Sequence, residues 1–311
     1  MSKAIILPAA VAFWVLVCAA GAADAGQPFL LGAYPGEKTD QFEAMVGHSI
    51  AIVDHFQSFS DLPKSGVADD IAAGRVPFIS WASNLSGKIS AQALDILAGK
   101  YDKQLNAQAK AIAALRATVL IEWEPEMTDN PRNKMFFEGV SIPDRGPTYV
   151  SVWMYIHDIF VADGATNVQW VWAPGGDAYK LHQDGEIPCQ PYFPGADYVD
   201  WMGMHSFNKS DTPLAYDANE QFLDFYATAP SWAPGKPLIH AQTGATSVTD
   251  AQSEWISTAQ SSLKSEFPLV RAFVYYNVNA KNYLPGHTQQ YALTGAGLTA
   301  YQAMLNDPYF Q

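Results

Sequence analysis

The sequence predicts an α/β chain folded as a single (β/α)8 TIM barrel, and three observations predict it. Eight short apolar runs recur along the chain, the stretches between them carry helical spacing, and the longest irregular segments, 128–148 and 174–197, each follow a run. Strands alternating with helices require parallel strands joined by crossovers, and eight such units in one domain close a barrel. A doubly wound open sheet would be favoured by a glycine-rich phosphate loop after the first strand. GAYPGEKTD lacks the G-x-G-x-x-G spacing and is interrupted by Pro35.

The chain begins with one lysine, an apolar run from about Ala4 to Ala20, and a small-x-small site at Ala23-Asp24-Ala25. Residues 1–25 are therefore expected to be a cleaved signal peptide and 26–311 the barrel domain, in a secreted or periplasmic protein. The run is short and no basic stop-transfer patch follows it, which argues against an anchor. The strand-like runs are FLLGAY (29–34), SIAIVDH (49–55), VPFISWA (76–82), ATVLIEWE (117–124), VQWVWA (168–173), YVDWMGMH (198–205), PLIHAQ (237–242) and VRAFVYYN (270–277). Helical spacing is clearest over 102–115, where Leu105, Ala109, Ile112 and Leu115 share a face, and recurs over 150–162 and 250–264.

Composition removes several classes of function. The formal net charge is −13 and no Lys/Arg cluster occurs, so nucleic acid and anionic membranes are poor partners. No stretch after the leader is apolar enough to span a membrane, and a monomer is expected. With Cys18 in the leader, Cys189 alone remains, which excludes an internal disulfide and a structural thiolate metal site. The seven histidines show no metal-binding spacing and no G-x-S-x-G elbow is present, so neither a metal nor another cofactor is expected. The 9 Trp, 15 Tyr and 16 Phe suit either a large aromatic core or a surface that stacks on sugar rings.

The segment IEWEPEM carries the densest chemistry. Alternation puts Glu122, Glu124 and Glu126 on one side of the fourth strand, with Ile121 and Trp123 on the other. Such a set is costly to bury but tolerable toward a barrel mouth, where Glu126, just past Pro125, reaches farthest. Trp81, Trp172, Tyr275 and Tyr276 lie near the same ends of their strands and are candidates for a sugar-stacking platform. His205 and Phe207 on the sixth strand complete the candidate substrate-binding set.

Taken together, GAYPG, VPFISWA, ILAGKYD, EPEM, VQWVWAPG, YFPGADYVDWMGM, KPLIHAQTGA and FPLVRAFVYYN resemble glycoside hydrolase family 26, the β-mannanase family. The resemblance implies a retaining mechanism on β-linked mannan, xylan or mixed-linkage glucan, with two carboxyl groups about 5–5.5 Å apart. It implies that Glu126 is the acid/base, although Pro125 replaces the histidine of the family's His-Glu-Met motif. The nucleophile position falls on Gln242, an amide. Phe207 falls about where the family has a tyrosine that bonds the nucleophile, and TDNPRNKMFF lacks a nearby tryptophan. Three readings follow: a β-glycan-recognising protein with its retaining mechanism impaired, an active endo-β-glycanase in which Glu122, Glu124 or Asp177 substitutes for the missing group, or a structural component of an envelope or exopolysaccharide assembly.

Overall fold

The computed structural model describes residues 28–310, apart from 37, 87–88, 129–132, 211–214, 217–218, 248–249 and 280–288. The expected signal peptide and part of the segment after Glu126 lie outside the described residues. No helix among the described residues is long and apolar enough to cross a membrane.

Eight parallel strands close a barrel. They are β1 (Leu30–Tyr34), β2 (Ile52–Ser58), β3 (Val76–Ala82), β4 (Val119–Trp123), β5 (Val168–Trp172), β6 (Trp201–Asn208), β7 (Leu238–Ala245) and β8 (Val270–Tyr276). Each pairs with its successor in sequence, and β8 returns to β1. The helix over Asp102–Leu115 buries Leu105, Ala109 and Ile112, the stripe its sequence predicts. A helix longer than expected covers Arg145–Ala162, and the expected 250–264 helix spans Ala251–Ser265. Between β5 and β6 the crossover contains no α-helix, only short 3-10 turns at Gln190–Tyr192 and Ala196–Tyr198.

Alternation along the strands separates two apolar layers. Ile52, Phe78, Leu120, Val171, Ile239, Ala241, Ala272 and Val274 fill the barrel interior. A larger layer joins strands to helices and includes Ile79, Trp81, Trp123, Trp170, Trp172 and Tyr275. Two residues beyond an interior position, the next inward side chain sits nearer the mouth, so Asp54 follows Ile52, Ser80 follows Phe78 and Glu122 follows Leu120. Strand β7 departs from this rule. Its pairing with both β6 and β8 slips by one residue around Ala241 and Gln242, as Met204 faces His240 while His205 faces Gln242. A bulge of this kind re-aims one side chain, and here it lets Gln242 join Ala241 on the inward side.

Candidate active site

Glu126 and Gln242 stand at the two ends of one chain of polar contacts across the barrel mouth. Gln242 Nε2 donates to Asp54 Oδ2 at 2.9 Å and to Ser80 Oγ at 3.2 Å. The Ser80 hydroxyl donates to Asp54 Oδ1 at 2.9 Å and approaches Glu122 Oε2 at 3.4 Å. His205 Nε2 lies 2.9 Å from Glu122 Oε1, and its Nδ1 lies 3.3 Å from Glu126 Oε1. Asp54, Ser80, Glu122, His205 and Gln242 are all buried, whereas the Glu126 side chain is 36% exposed. Glu126 is therefore the solvent-accessible carboxylate among these contacts.

The backbone explains how Glu126 gets there. β4 ends at Trp123, and Glu124 and Glu126 adopt left-handed backbone with φ of 48° and 57°. Alternation stops, so the three glutamates do not share a face as the sequence predicts. Glu122 points inward to His205, and Glu124 is buried with its carboxylate accepting from the Ser83 amide at 2.6 Å. Glu126 reaches across to β5, where its amide donates to Ala173 O and its side chain packs over Gly175. Asp177, the third candidate substitute, is exposed and accepts from Gln221 at 3.1 Å.

Burial sets the protonation of this chain. Removal from water pushes Asp54 up to about 7, with the Ser80 hydrogen bond opposing and the Glu122 charge reinforcing the shift. Burial raises Glu122 as well, against the pull of His205. For His205 burial works against charge, but Glu122 and Glu126 outweigh it and push the ring up to about 10. Both of its ring nitrogens face carboxylate oxygens, and only the imidazolium has a donor on each. We therefore assign His205 as charged at neutral pH. The other histidine of this region, His240, faces outward to Ser206 and Tyr216, and burial holds it down at about 3.

The aromatic candidates divide. Tyr276 is half-buried at the mouth, stacked on Tyr34 with ring centroids 5.3 Å apart, and Phe207 packs edge-on against it at 5.8 Å. Phe56, also half-buried, meets Tyr34 edge-on at 4.9 Å. Trp81, Trp172 and Tyr275 do not belong to this group. All three are wholly buried on the outward side of their strands, with Trp81 stacked on Phe59 and Trp172 packed against Phe193. They cannot stack on a sugar. Asp54, Ser80, Tyr34 and Phe56 are the site residues that sequence reading missed; a lone Asp inside the apolar run SIAIVDH was the available signal.

A closed barrel of eight parallel strands has counterparts among solved structures. A β-mannanase of glycoside hydrolase family 26 from Bacteroides ovatus superposes with a TM-score of 0.63 at 14% identity, over 92% of this chain and 90% of that one. The fold is that of the family 26 β-mannanases. The family 26 domain of an endo-β-mannanase/endo-β-glucanase from Prevotella bryantii gives 0.58 at 15% identity, over 91% and 90% of the two chains. A Bacillus subtilis mannanase gives 0.54 at 20%, over 89% and 85%. In sequence, Endoglucanase H of Acetivibrio thermocellus is 27% identical over 140 residues, which span 42% of this chain and 14% of that protein. No family model matches the chain.

Proposed function

We propose that the chain binds β-linked polysaccharide of the mannan, xylan or glucan type at the mouth around Glu126, and that the two-step retaining route is closed to it. The observation that carries this reading is Gln242, which occupies the β7 position with its amide nitrogen turned to Asp54 at 2.9 Å. A neutral amide is a poor nucleophile and cannot balance an oxocarbenium-like transition state. The rest of the mouth suits a sugar. Tyr34, Phe56, Phe207 and Tyr276 offer partly exposed rings, and Glu126 offers a carboxyl to hydroxyl groups. The mannanase and endoglucanase relatives support the substrate class. Export as a monomer without a cofactor fits the same reading.

Calorimetry with manno-, xylo- and gluco-oligosaccharides checks the binding. We expect micromolar to millimolar affinity for at least one series, and an absence of binding to all three at millimolar concentration would rule the reading out. A 2-fluoro glycoside should leave no covalent adduct on the protein, since no carboxylate stands at Gln242. A second reading, hydrolysis with a substitute carboxylate, is favoured by the position of Asp54.

A further inference from the structure

Four buried or nearby carboxylates compete for the role that Gln242 cannot fill, and three of them are committed elsewhere. Glu122 faces His205 at 2.9 Å, Glu124 accepts from the Ser83 amide at 2.6 Å, and Asp177 is exposed beside Gln221. Asp54 alone touches Gln242. It lies on the inward side of β2, and each of its oxygens accepts one hydrogen bond at 2.9 Å, from Gln242 and from Ser80. A carboxylate oxygen has two acceptor sites, so both retain capacity for a further donor. A glutamate at position 242 would set two carboxylates against one another, and both could not ionise. The amide instead donates to Asp54 and leaves the charge there.

We propose that Asp54 is the second reacting carboxylate of this mouth and acts as the base of a one-step, inverting hydrolysis of a β-glycosidic bond, with Glu126 as the acid. This rests on the reading of the mouth as a β-glycan site. The water oxygen forms the new bond to the anomeric carbon, and the glycosidic C–O bond breaks. Its electron pair stays with the leaving oxygen, which takes a proton passed through Glu126 from the His205 imidazolium 3.3 Å away, while the water's proton passes to Asp54. Exchange with solvent then resets both groups. Asp54 serves as base rather than nucleophile because it is only 2% exposed, which bars a ring carbon but not a water held at its free acceptor sites. Inverting pairs are spaced about 6.5–9.5 Å apart to hold that water. Gln242 and Ser80 are positioning residues that fix the Asp54 carboxylate.

Proton NMR of the first products from a β-linked oligosaccharide tests the step on the unaltered protein. The α-anomer should appear first; β-anomer first, or a trapped glycosyl-enzyme, overturns the proposal. Asp54→Asn should lower turnover by about 10²–10⁴-fold, the usual range for a general base, with oligosaccharide affinity changed less than about tenfold. Full turnover in that variant also overturns it. The double variant Asp54→Asn/Gln242→Glu moves the carboxylate back to β7, and it should give β-anomer first and trap a 2-fluoro sugar. Binding without any turnover in the unaltered protein overturns this inference and leaves the glycan reading standing. Failure to bind any oligosaccharide removes that reading itself.

Discussion

Glu126 is held by backbone that costs energy. Left-handed φ at Glu124 and Glu126, on either side of Pro125, is unfavourable for residues with a Cβ by about 1–3 kcal/mol each. The conformation persists because Glu124 is fixed to Ser83 and Glu126 fits over the bare backbone of Gly175. A Cβ on Gly175 would sit 2.7 Å from Glu126 Cγ. Gly175→Ala should therefore displace the Glu126 side chain and cut oligosaccharide affinity or turnover at least tenfold while the fold survives, measured by calorimetry and circular dichroism. The buried charges give a second expectation. Asp54 folds with its pKa near 7 against about 3.8 unfolded, so its contribution to stability is present at low pH and is lost as pH rises to 7. His205, raised from 6.5 to about 10, keeps its contribution below 6.5 and loses it toward 10. Denaturant titrations should show Asp54→Asn gaining on the unaltered protein between pH 4 and 7, by on the order of 2–4 kcal/mol. His205→Gln should close its deficit between pH 6.5 and 10. A flat difference in either window would contradict the assignment.

At the scale of elements, the sequence reads well wherever one physical signal dominates. The helix over Asp102–Leu115 is legible because its apolar stripe has a single period and a polar opposite face. Strand order is legible because each apolar run is bounded by turn residues. Which side of a strand faces the mouth is not legible, because both faces of a barrel strand are buried and apolar residues fill each. VPFISWA gives no sign that Ser80 points inward and Trp81 outward; the pairing of Ser80 with Glu122 in β4 decides it. Strand ends are hidden for a related reason. β2, β6 and β7 each run three residues past the expected strand, ending at Ser58, Asn208 and Ala245. Those extensions are paired backbone, so Phe56 and Phe207 stand on strands rather than on loops. The bulge in β7 has no signature in PLIHAQTGA, yet it brings Gln242 inward beside Ala241.

Across the whole molecule the aromatic residues form two populations with different work, although composition presents them as one. The outer population ties barrel to helices: Trp81 stacks on Phe59 at 5.6 Å and meets Trp123 at 4.8 Å, while Trp172 packs with Tyr179, Phe193 and Trp232. The mouth population of Tyr34, Phe56, Phe207 and Tyr276 is only half-buried and borders the polar chain. Removing a ring from the first should open a cavity, and removing one from the second should take away a ligand surface. Trp81→Ala is expected to cost about 3–5 kcal/mol of stability by the usual range for buried large-to-small changes. Its folded fraction should bind oligosaccharide as before, since Trp81 lies behind Ser80 and away from the mouth. Tyr276→Ala should cost far less stability, because its ring is partly in water already. It should weaken oligosaccharide binding by about tenfold or more, on the scale of a lost aromatic contact of roughly 1–2 kcal/mol. Denaturation and calorimetry on both variants separate the two roles. Affinity that falls in Trp81→Ala at unchanged stability, or survives Tyr276→Ala, would place the sugar somewhere other than this mouth.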